Sequence, residues 1–287
     1  MDLHTLRFFL CVADQGSFTA ASEALHYAQS NLSTQIKNLE EELKTPLFYR
    51  KKRGVVLTAK GKLFYDYASR ILKLTDESVM AVQDQDTARG HLTFGSLEAI
   101  ALRDLPELFS SYHKNYPEVT LTLTTDMNDV FPVQVLNRTL DGAFIQSPGK
   151  HPDLNEIFIK KEELVLVGGI RQHHMTAFDI LKEAPIITFP QGSIFRHRLE
   201  QLMASLALSY SGGFTILNSL AAMIVNIISG LGYGYLPRSI INPYIDQGIM
   251  QEFPLADPYS ELDIVFIYRK DHLMDAAFRY FIDMLNK

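Results

Sequence analysis

The side chains best suited to chemistry fall in two constellations. The first runs through Gln29, Ser30, Asn31, Ser33, Thr34, Gln35 and Lys37. These are short amide and hydroxyl groups with one cation, crowded onto little more than two helical turns. They suit a rigid surface that must match many hydrogen-bonding edges, such as base pairs in a major groove and the phosphates beside it. Ser17 and Thr19 add two hydroxyls just upstream. Arg50, Lys51, Lys52 and Arg53 follow downstream as a block of fixed positive charge suited to a sugar-phosphate backbone.

The second constellation is spread along the rest of the chain. Ser96, Leu97 and Glu98 stand where a β-like run, HLTFGSL, gives way to a helical one. Ser193, Phe195 and Arg196 stand at a similar point after PIITFP. A strand-to-helix turn presents free backbone N–H groups and the positive end of a helix dipole, which together hold a carboxylate or phosphate. Arg196, three residues into its turn, could clamp a carboxylate through two parallel bonds. Thr124, Thr125 and Gln146 close other strands and offer further polar contacts. Glu98 does not suit an anion site; it either faces solvent or meets an amine on the ligand. The expected ligand is a small molecule carrying negative charge, with no metal or other cofactor.

Other groupings carry no chemistry. His173 and His174 are adjacent and lack Cys or acidic partners at ligand spacing, so no metal site is expected. Gly230, Gly232 and Gly234 follow a helix and lead into a strand, the reverse of a dinucleotide fingerprint. No nucleophile, base and oxyanion donor group together, and an enzyme is not expected. Cys11, the one cysteine, sits on an apolar helix face as a structural thiol.

The elements that would position these groups are legible. Asp2 caps a helix with Leu3, Leu6, Leu10 and Ala13 on one face, ended by Gly16 and burying Phe8 or Phe9. Ser17 caps a short helix with Phe18, Ala21 and Leu25 inward, broken at His26 and Tyr27. A helix from Gln29 to Leu43 follows, its apolar side being Leu32, Ile36, Leu39 and Leu43. Two short helices joined by a tight turn make a helix-turn-helix. Leu47 and Phe48, the basic run, Gly54 and VVLT then read as a hairpin with a basic tip, a wing. Thr58 caps a long helix reaching about Asp86, with a stripe at Leu63, Tyr67, Ile71, Leu74, Ser78 and Ala81 that suits pairing with a second copy. Beyond a polar hinge at 84–91, strands alternate with helices in two sets, which predicts two α/β lobes with a cleft between them.

Charge is divided in the same way. The whole chain of 287 residues carries a net −6, but residues 1–62 hold nine Lys and Arg against six Asp and Glu. The excess positive charge lies on the segment suited to nucleic acid. Glu40, Glu41 and Glu42 would repel phosphate and are expected to face away from it. No apolar run approaches the ~18 residues of a membrane span, and the N-terminus has no signal-peptide pattern, which points to the cytoplasm and no membrane partner.

The segments LRFFLCVADQGSFTAASEAL at 6–25, Gln29 with LSTQI at 32–36, LEEEL at 39–43, PLFYR at 46–50 and LTAKG at 57–61 resemble the DNA-binding end of the LysR-type transcriptional regulators. It departs at Ala28, where the family often has Ser, and at Asn31, where a small residue or Pro is common. Both changes bear on which operator is read. GHLTFGSL at 90–97, PEVTLTL at 117–123, LDGAFI at 140–145, FPQGSIFR at 189–196 and NSLAAMIVNIISGLGYGYLP at 218–237 resemble the family's effector domain, which has the two-lobe fold of periplasmic solute-binding proteins. GGIRQHHMTA at 168–177 departs from the commoner Pro-containing pattern. The resemblance implies a winged domain at 1–58, a dimerising linker helix and hinge at 59–90, and a two-lobe effector domain at 91–287. It also implies a duplex DNA operator as partner, a small-molecule effector, and a homo-oligomer, commonly a dimer of dimers. Two rival readings stand beside it: a DNA-binding repressor with no effector, and a small-molecule carrier or enzyme on the same two-lobe fold.

Overall fold

The computed structural model describes residues 1–51, 54–83, 87–170, 175–255 and 258–286. Lys52, Arg53, the His173–His174 pair and residues 84–86 of the expected hinge lie outside them. The chain divides into two compact units, one built on Met1–Asp86 and the other on Thr87–Leu136 with Leu140–Lys287.

The first unit contains α1 (Leu3–Gln15), α2 (Phe18–Leu25), α3 (Gln29–Glu42), the antiparallel pair β1 (Phe48–Arg50) and β2 (Val55–Leu57), and α4 (Ala59–Gln83). Capping sets its boundaries. The Asp2 side chain accepts from Thr5 N, and Ser17 from Ala20 N. His26 ends α2 in the left-handed region at φ 55°. Thr58 Oγ1 accepts from Gly61 N at 2.9 Å and donates to Pro46 O at 2.9 Å, so one hydroxyl starts α4 and ties it to the entry of the wing. Leu6, Phe9, Val12, Ala21, Leu32, Ile36, Leu39 and Leu47 form the core, with Phe9 meeting Phe48 and Phe64 ring to ring. Phe8 and Phe9 are both buried. The long helix belongs to this unit: Ala68 and Leu72 are buried, whereas Leu63, Tyr67, Ile71 and Leu74 are exposed at 53, 53, 38 and 53%.

The second unit is a mixed sheet in two lobes. In strand order it runs β4 (Val119–Thr125), β3 (Gly90–Ser96), β5 (Gly142–Gln146), β11 (Glu261–Arg269), β6 (Leu154–Gly169), β9 (Tyr233–Pro237), β7 (Ile186–Thr188) and β8 (Phe214–Ile216), with β10 (Met250–Glu252) also on β6. β3 runs parallel to β4 and β5, and β7 parallel to β8 and β9. β6 is a single 16-residue strand whose first part pairs with β11 and whose second part pairs with β9 and β10. It is therefore shared by both lobes, and it is antiparallel to its neighbours, whereas alternating strands and helices imply parallel units. Its length explains the miss: LNEIFIKKEELVLVGG holds a charged middle that reads as a break.

The expected helix near 100–115 is two, α5 (Glu98–Arg103) and α6 (Leu105–Asn115), with Pro106 opening the second. α7 (Val130–Leu136) and α12 (Ala276–Leu285) pack on the first lobe. The second lobe carries α8 (Ala177–Glu183), α9 (Ile194–Ser205), α10 (Leu220–Ile228) and α11 (Arg238–Asp246). Phe94, Phe144, Phe266 and Phe281 interlock at the centre of the first lobe, Phe94 stacking on Phe281 at 4.3 Å. That rigid packing fixes the ends of β3 and β4, where the cleft opens.

Candidate nucleic-acid interface and ligand cleft

On α3 the apolar residues Leu32, Ile36 and Leu39 are buried, and the opposite side is polar. Gln29, Ser30, Asn31, Thr34 and Lys37 are exposed, while Ser33 and Gln35 are half-buried. Thr34 Oγ1 donates to Ser30 O at 2.8 Å, which spends its only hydrogen on its own helix and leaves it an acceptor outward. Lys37 pairs with Glu41 at 3.4 Å along the helix. Ala28 occupies the N-cap position without a side-chain acceptor, so the first amides of α3 are uncapped by their own chain. Ser17 is committed to capping α2, and Thr19 is exposed beside it.

The wing closes where Lys51 N donates to Gly54 O at 3.0 Å. Gly54 has φ 84°, and a Cβ there would run into the carbonyl oxygen of Gly16, so only glycine fits. Val55 N donates to that same Gly16 oxygen at 2.8 Å, pinning the wing to the α1–α2 turn. Arg50 and Lys51 are exposed. The Arg50 guanidinium also lies 5.6 Å from the centre of the Phe18 ring, which orients it.

The three carboxylates of the acidic run are placed differently from one another. Glu41 and Glu42 are exposed, but Glu40 Oε1 accepts from Leu47 N at 2.6 Å and from Phe48 N at 3.1 Å. One carboxylate oxygen thus fixes the start of the wing against the end of α3. No sequence pattern announces this bond, because its partners lie seven and eight residues away across a turn. Cys11 is half-buried, and burial pushes its thiol above the ordinary range, away from reactive thiolate character.

In the second unit a cavity of about 240 Å³ lies at the carboxyl ends of β3, β4 and β7, between the lobes. This is where an open α/β sheet places its ligands. Of the expected residues, Leu97, Glu98, Thr125, Ser193 and Phe195 line it. Ser193 stands at the N-cap of α9 and is nine-tenths buried, yet its hydroxyl makes no capping bond. Glu98 Oε2 accepts from Leu220 N at 3.0 Å, reaching from the first lobe to the N-terminus of α10 in the second.

Four expected residues are placed elsewhere. Thr124 lies outside the cavity lining, and its Oγ1 donates to Phe94 O at 3.4 Å on the neighbouring strand. Ser96 is completely buried and donates to Leu97 O at 3.0 Å, so it supports the turn from below. Gln146 lies outside the cavity lining, but its backbone holds the Asn128 amide: Gln146 N donates to Asn128 Oδ1 at 2.8 Å, and Asn128 Nδ2 donates to Gln146 O at 3.2 Å. Arg196 stacks over Phe214 at 3.8 Å and pairs with Glu200 at 2.6 Å. It lines a second cavity, with Asn128, Asp129, Gln191, Gly192 and His197, instead of the one that contains Ser193. Ser193 and Arg196 thus line different cavities, which adjoin through Asn128 and Ile194.

Sequence reasoning missed Asp126, Met127, Asn128, Phe189, Pro190 and Asn218, all of which line the cavity. Each sits in the loop after a strand already identified, and that position was the available signal. Asn218 stands just before Ser219, which caps α10 by accepting from Ala222 N. Among the described residues no group of His, Cys, Asp and Glu could hold a metal ion, and no helix is long and apolar enough to cross a membrane.

Comparison with known proteins bears on this two-part architecture directly. Residues 3–62 match the family of bacterial regulatory helix-turn-helix proteins of the lysR type, and residues 85–287 match the LysR substrate binding domain. The chain is 36% identical to the HTH-type transcriptional regulator CzcR of Bacillus thuringiensis subsp. konkukian, over all of this chain and 98% of that protein. It is 33% identical to YofA of Bacillus subtilis, over 100% and 99% of the two chains. In fold it is similar to CbnR, a LysR family transcriptional regulator (TM-score 0.71, 22% identity, 100% of this chain and 98% of that one). Full-length OxyR from Pseudomonas aeruginosa is similar too (TM-score 0.72, 21% identity, 100% and 95%). The polar recognition face, the wing and the two-lobe cleft are those of a DNA-binding regulator that responds to a small molecule, and the chain belongs to the LysR family of bacterial transcriptional regulators.

Proposed function

We propose that α3 enters the major groove of an operator, with Gln29, Ser33 and Gln35 meeting base edges or nearby phosphates. Arg50 and Lys51 then lie along the backbone, with Arg53, outside the described residues, continuing the run. The observation that carries this reading is the split surface of α3: its apolar side closes the core, and Gln29, Ser30, Asn31, Thr34 and Lys37 on its polar side are exposed. The same fold engages DNA in full-length CbnR, which has been crystallised with its target DNA. The exposed stripe Leu63, Tyr67, Ile71 and Leu74 pairs with a second copy, and the assembly is a dimer of dimers. The protein works in the cytoplasm and is not an enzyme.

The effector occupies the cavity between the lobes. At about 240 Å³ this is below the usual size of drug-binding sites, so the ligand is a small metabolite. Its carboxylate belongs at the uncapped N-terminus of α9 beside Ser193, with Arg196 outside the contact. The effector changes DNA binding only in so far as it binds two arrangements of the regulator unequally.

Selection of duplexes from a random pool by the full-length protein, followed by titration of the winner, tests the DNA reading. Gln29→Ala should weaken the selected site by ~1–3 kcal/mol and relax preference at one position. A pool that converges on no sequence refutes operator reading. A converged site bound identically by Gln29→Ala removes that residue from it.

A further inference from the structure

The two ends of the interlobe cavity differ in charge. The first-lobe wall carries the carboxylates of Glu98 and Asp126, and among the described residues no Lys or Arg lines the cavity. Glu98 gives one oxygen to Leu220 N, and Asp126 gives one to Met127 N at 2.7 Å. Each carboxylate has a second oxygen, and a carboxylate accepts several hydrogen bonds. The opposite wall is the start of α9, a 12-residue helix whose N-cap side chain does not bond its own amides. Ser193 there is nine-tenths buried, lines the cavity, and has a hydroxyl with no partner among the described residues. Phe189 and Phe195, with rings 5.4 Å apart, form an apolar wall beside Ser193, and Met127 adds an apolar side chain from the other lobe.

A purely anionic ligand would meet one attractive wall and one repulsive one. A simple amine would meet the reverse. We infer that the cleft takes a zwitterion of the α-amino-acid class, its ammonium group against Glu98 and Asp126 and its carboxylate on Ser193 and the first amides of α9. This rests on the reading that the effector occupies the interlobe cavity, and it adds the chemical class. It also assigns Glu98 a role: the residue that holds the first lobe to α10 is the one the ammonium group touches. Ligand binding and the interlobe hydrogen bond therefore share one carboxylate, so occupancy of the cleft is coupled to lobe position.

The test is a thermal-shift screen of the full-length protein. It uses the proteinogenic L-amino acids together with the N-acetyl derivative and the decarboxylated amine of each. Calorimetry of the best ligand follows, on the parent, Glu98→Gln, Ser193→Ala and Thr125→Trp. Gln keeps an acceptor for Leu220 N while removing the charge, and Thr125 is an exposed cavity residue at which Trp should fill the space. The expected result is an amino acid that raises the Tm while its N-acetyl and decarboxylated forms do not. Glu98→Gln should then bind it roughly 10-fold or more weakly, since a hydrogen bond to a charged group is lost. A best ligand lacking either charge, no shift from any amino acid, or unchanged affinity in Glu98→Gln each overturns the proposal. Thr125→Trp separates the two levels of failure. A ligand of another class that loses binding in this variant leaves the cleft reading standing and removes the zwitterion. A ligand that binds the variant as well as the parent removes the cleft itself.

Discussion

Glu40 offers a sharp trial of how the winged unit works. One oxygen, Oε1, accepts both the Leu47 and the Phe48 amide, at 2.6 and 3.1 Å, and both donors belong to buried residues. Glu40→Ala therefore orphans two buried N–H groups. At ~1–3 kcal/mol each, the local cost is about 2–6 kcal/mol. Glu40→Gln keeps a carbonyl oxygen that can take both bonds and loses only the charge assistance, a cost of ~1 kcal/mol. Amide hydrogen exchange reads this locally, without assuming that the two-unit chain unfolds in one step. Protection at Leu47 and Phe48 should fall roughly 30-fold or more in Glu40→Ala and less than ~10-fold in Glu40→Gln, because ~1.4 kcal/mol is a factor of ten. DNA affinity supplies the opposing signal. If Glu40 holds the wing in place, Glu40→Ala should bind duplex DNA less tightly although a negative charge has gone. If the carboxylate merely repels phosphate, both variants should bind more tightly, and by similar factors. Unchanged protection, or tighter binding in both variants, refutes the clamp.

Three further outcomes follow from the contacts. Removing Arg50 should flatten the dependence of log affinity on log salt by ~0.9, the loss of one phosphate contact, as read by fluorescence anisotropy across a salt series. Arg196→Ala loses a half-encircled guanidinium stacked on Phe214 and should cost ~1–2 kcal/mol in chemical denaturation of the second unit. It should change ligand affinity less than Ser193→Ala does, and a larger loss would restore the arginine clamp. Asp275 caps α12 by accepting from Phe278 N at 2.8 Å, while burial raises its carboxyl above the ordinary range, partly offset by that hydrogen bond and then by the nearby His272. A raised acid is penalised in the fold once ionised, so its contribution is best below the ordinary carboxylate pKa and is eroded as pH rises through the raised value. Asp275→Asn keeps the cap, so its Tm relative to the parent should climb from about pH 4 to about pH 7; a constant difference would refute the charge penalty.

Much of the fold was legible because its signals are local. Asp2, Ser17 and Thr58 cap the helices they appear to cap, and the spacing of Leu32, Ile36 and Leu39 marks the buried side of α3. These features depend on residues three or four apart, which a sequence displays directly. The exposed stripe of α4 was visible for the same reason. β6 was harder, since its sides are set by two different partners. Over 154–163 it pairs with β11 and over 164–167 with β9, and no single period describes a strand whose surroundings change halfway along.

The site was legible only to the level of the segment. Strand-to-helix turns pointed to the right loops, and five of the nine named cleft residues line the cavity. Which atom faces inward depends on contacts made across long stretches of chain. Glu98 meets Leu220 at a separation of 122 residues. Arg196 stacks on Phe214, a residue on β8, and lines the second cavity. Ser96 and Ser193 looked equivalent in sequence, each following a strand, yet the first spends its hydroxyl on Leu97 O and the second makes no capping bond. The difference is one of position: Leu97, not Ser96, is the N-cap of α5, whereas Ser193 is itself the N-cap of α9. α5 has six residues and begins one position after Leu97, so Ser96 ends as the last residue of β3, beneath the turn. α9 has 12 residues and begins directly after Ser193, so that serine stands at the mouth of a longer helix dipole. An anion therefore has one anchoring turn in this cleft, and the carboxylates opposite it decide what the other end of the ligand must carry.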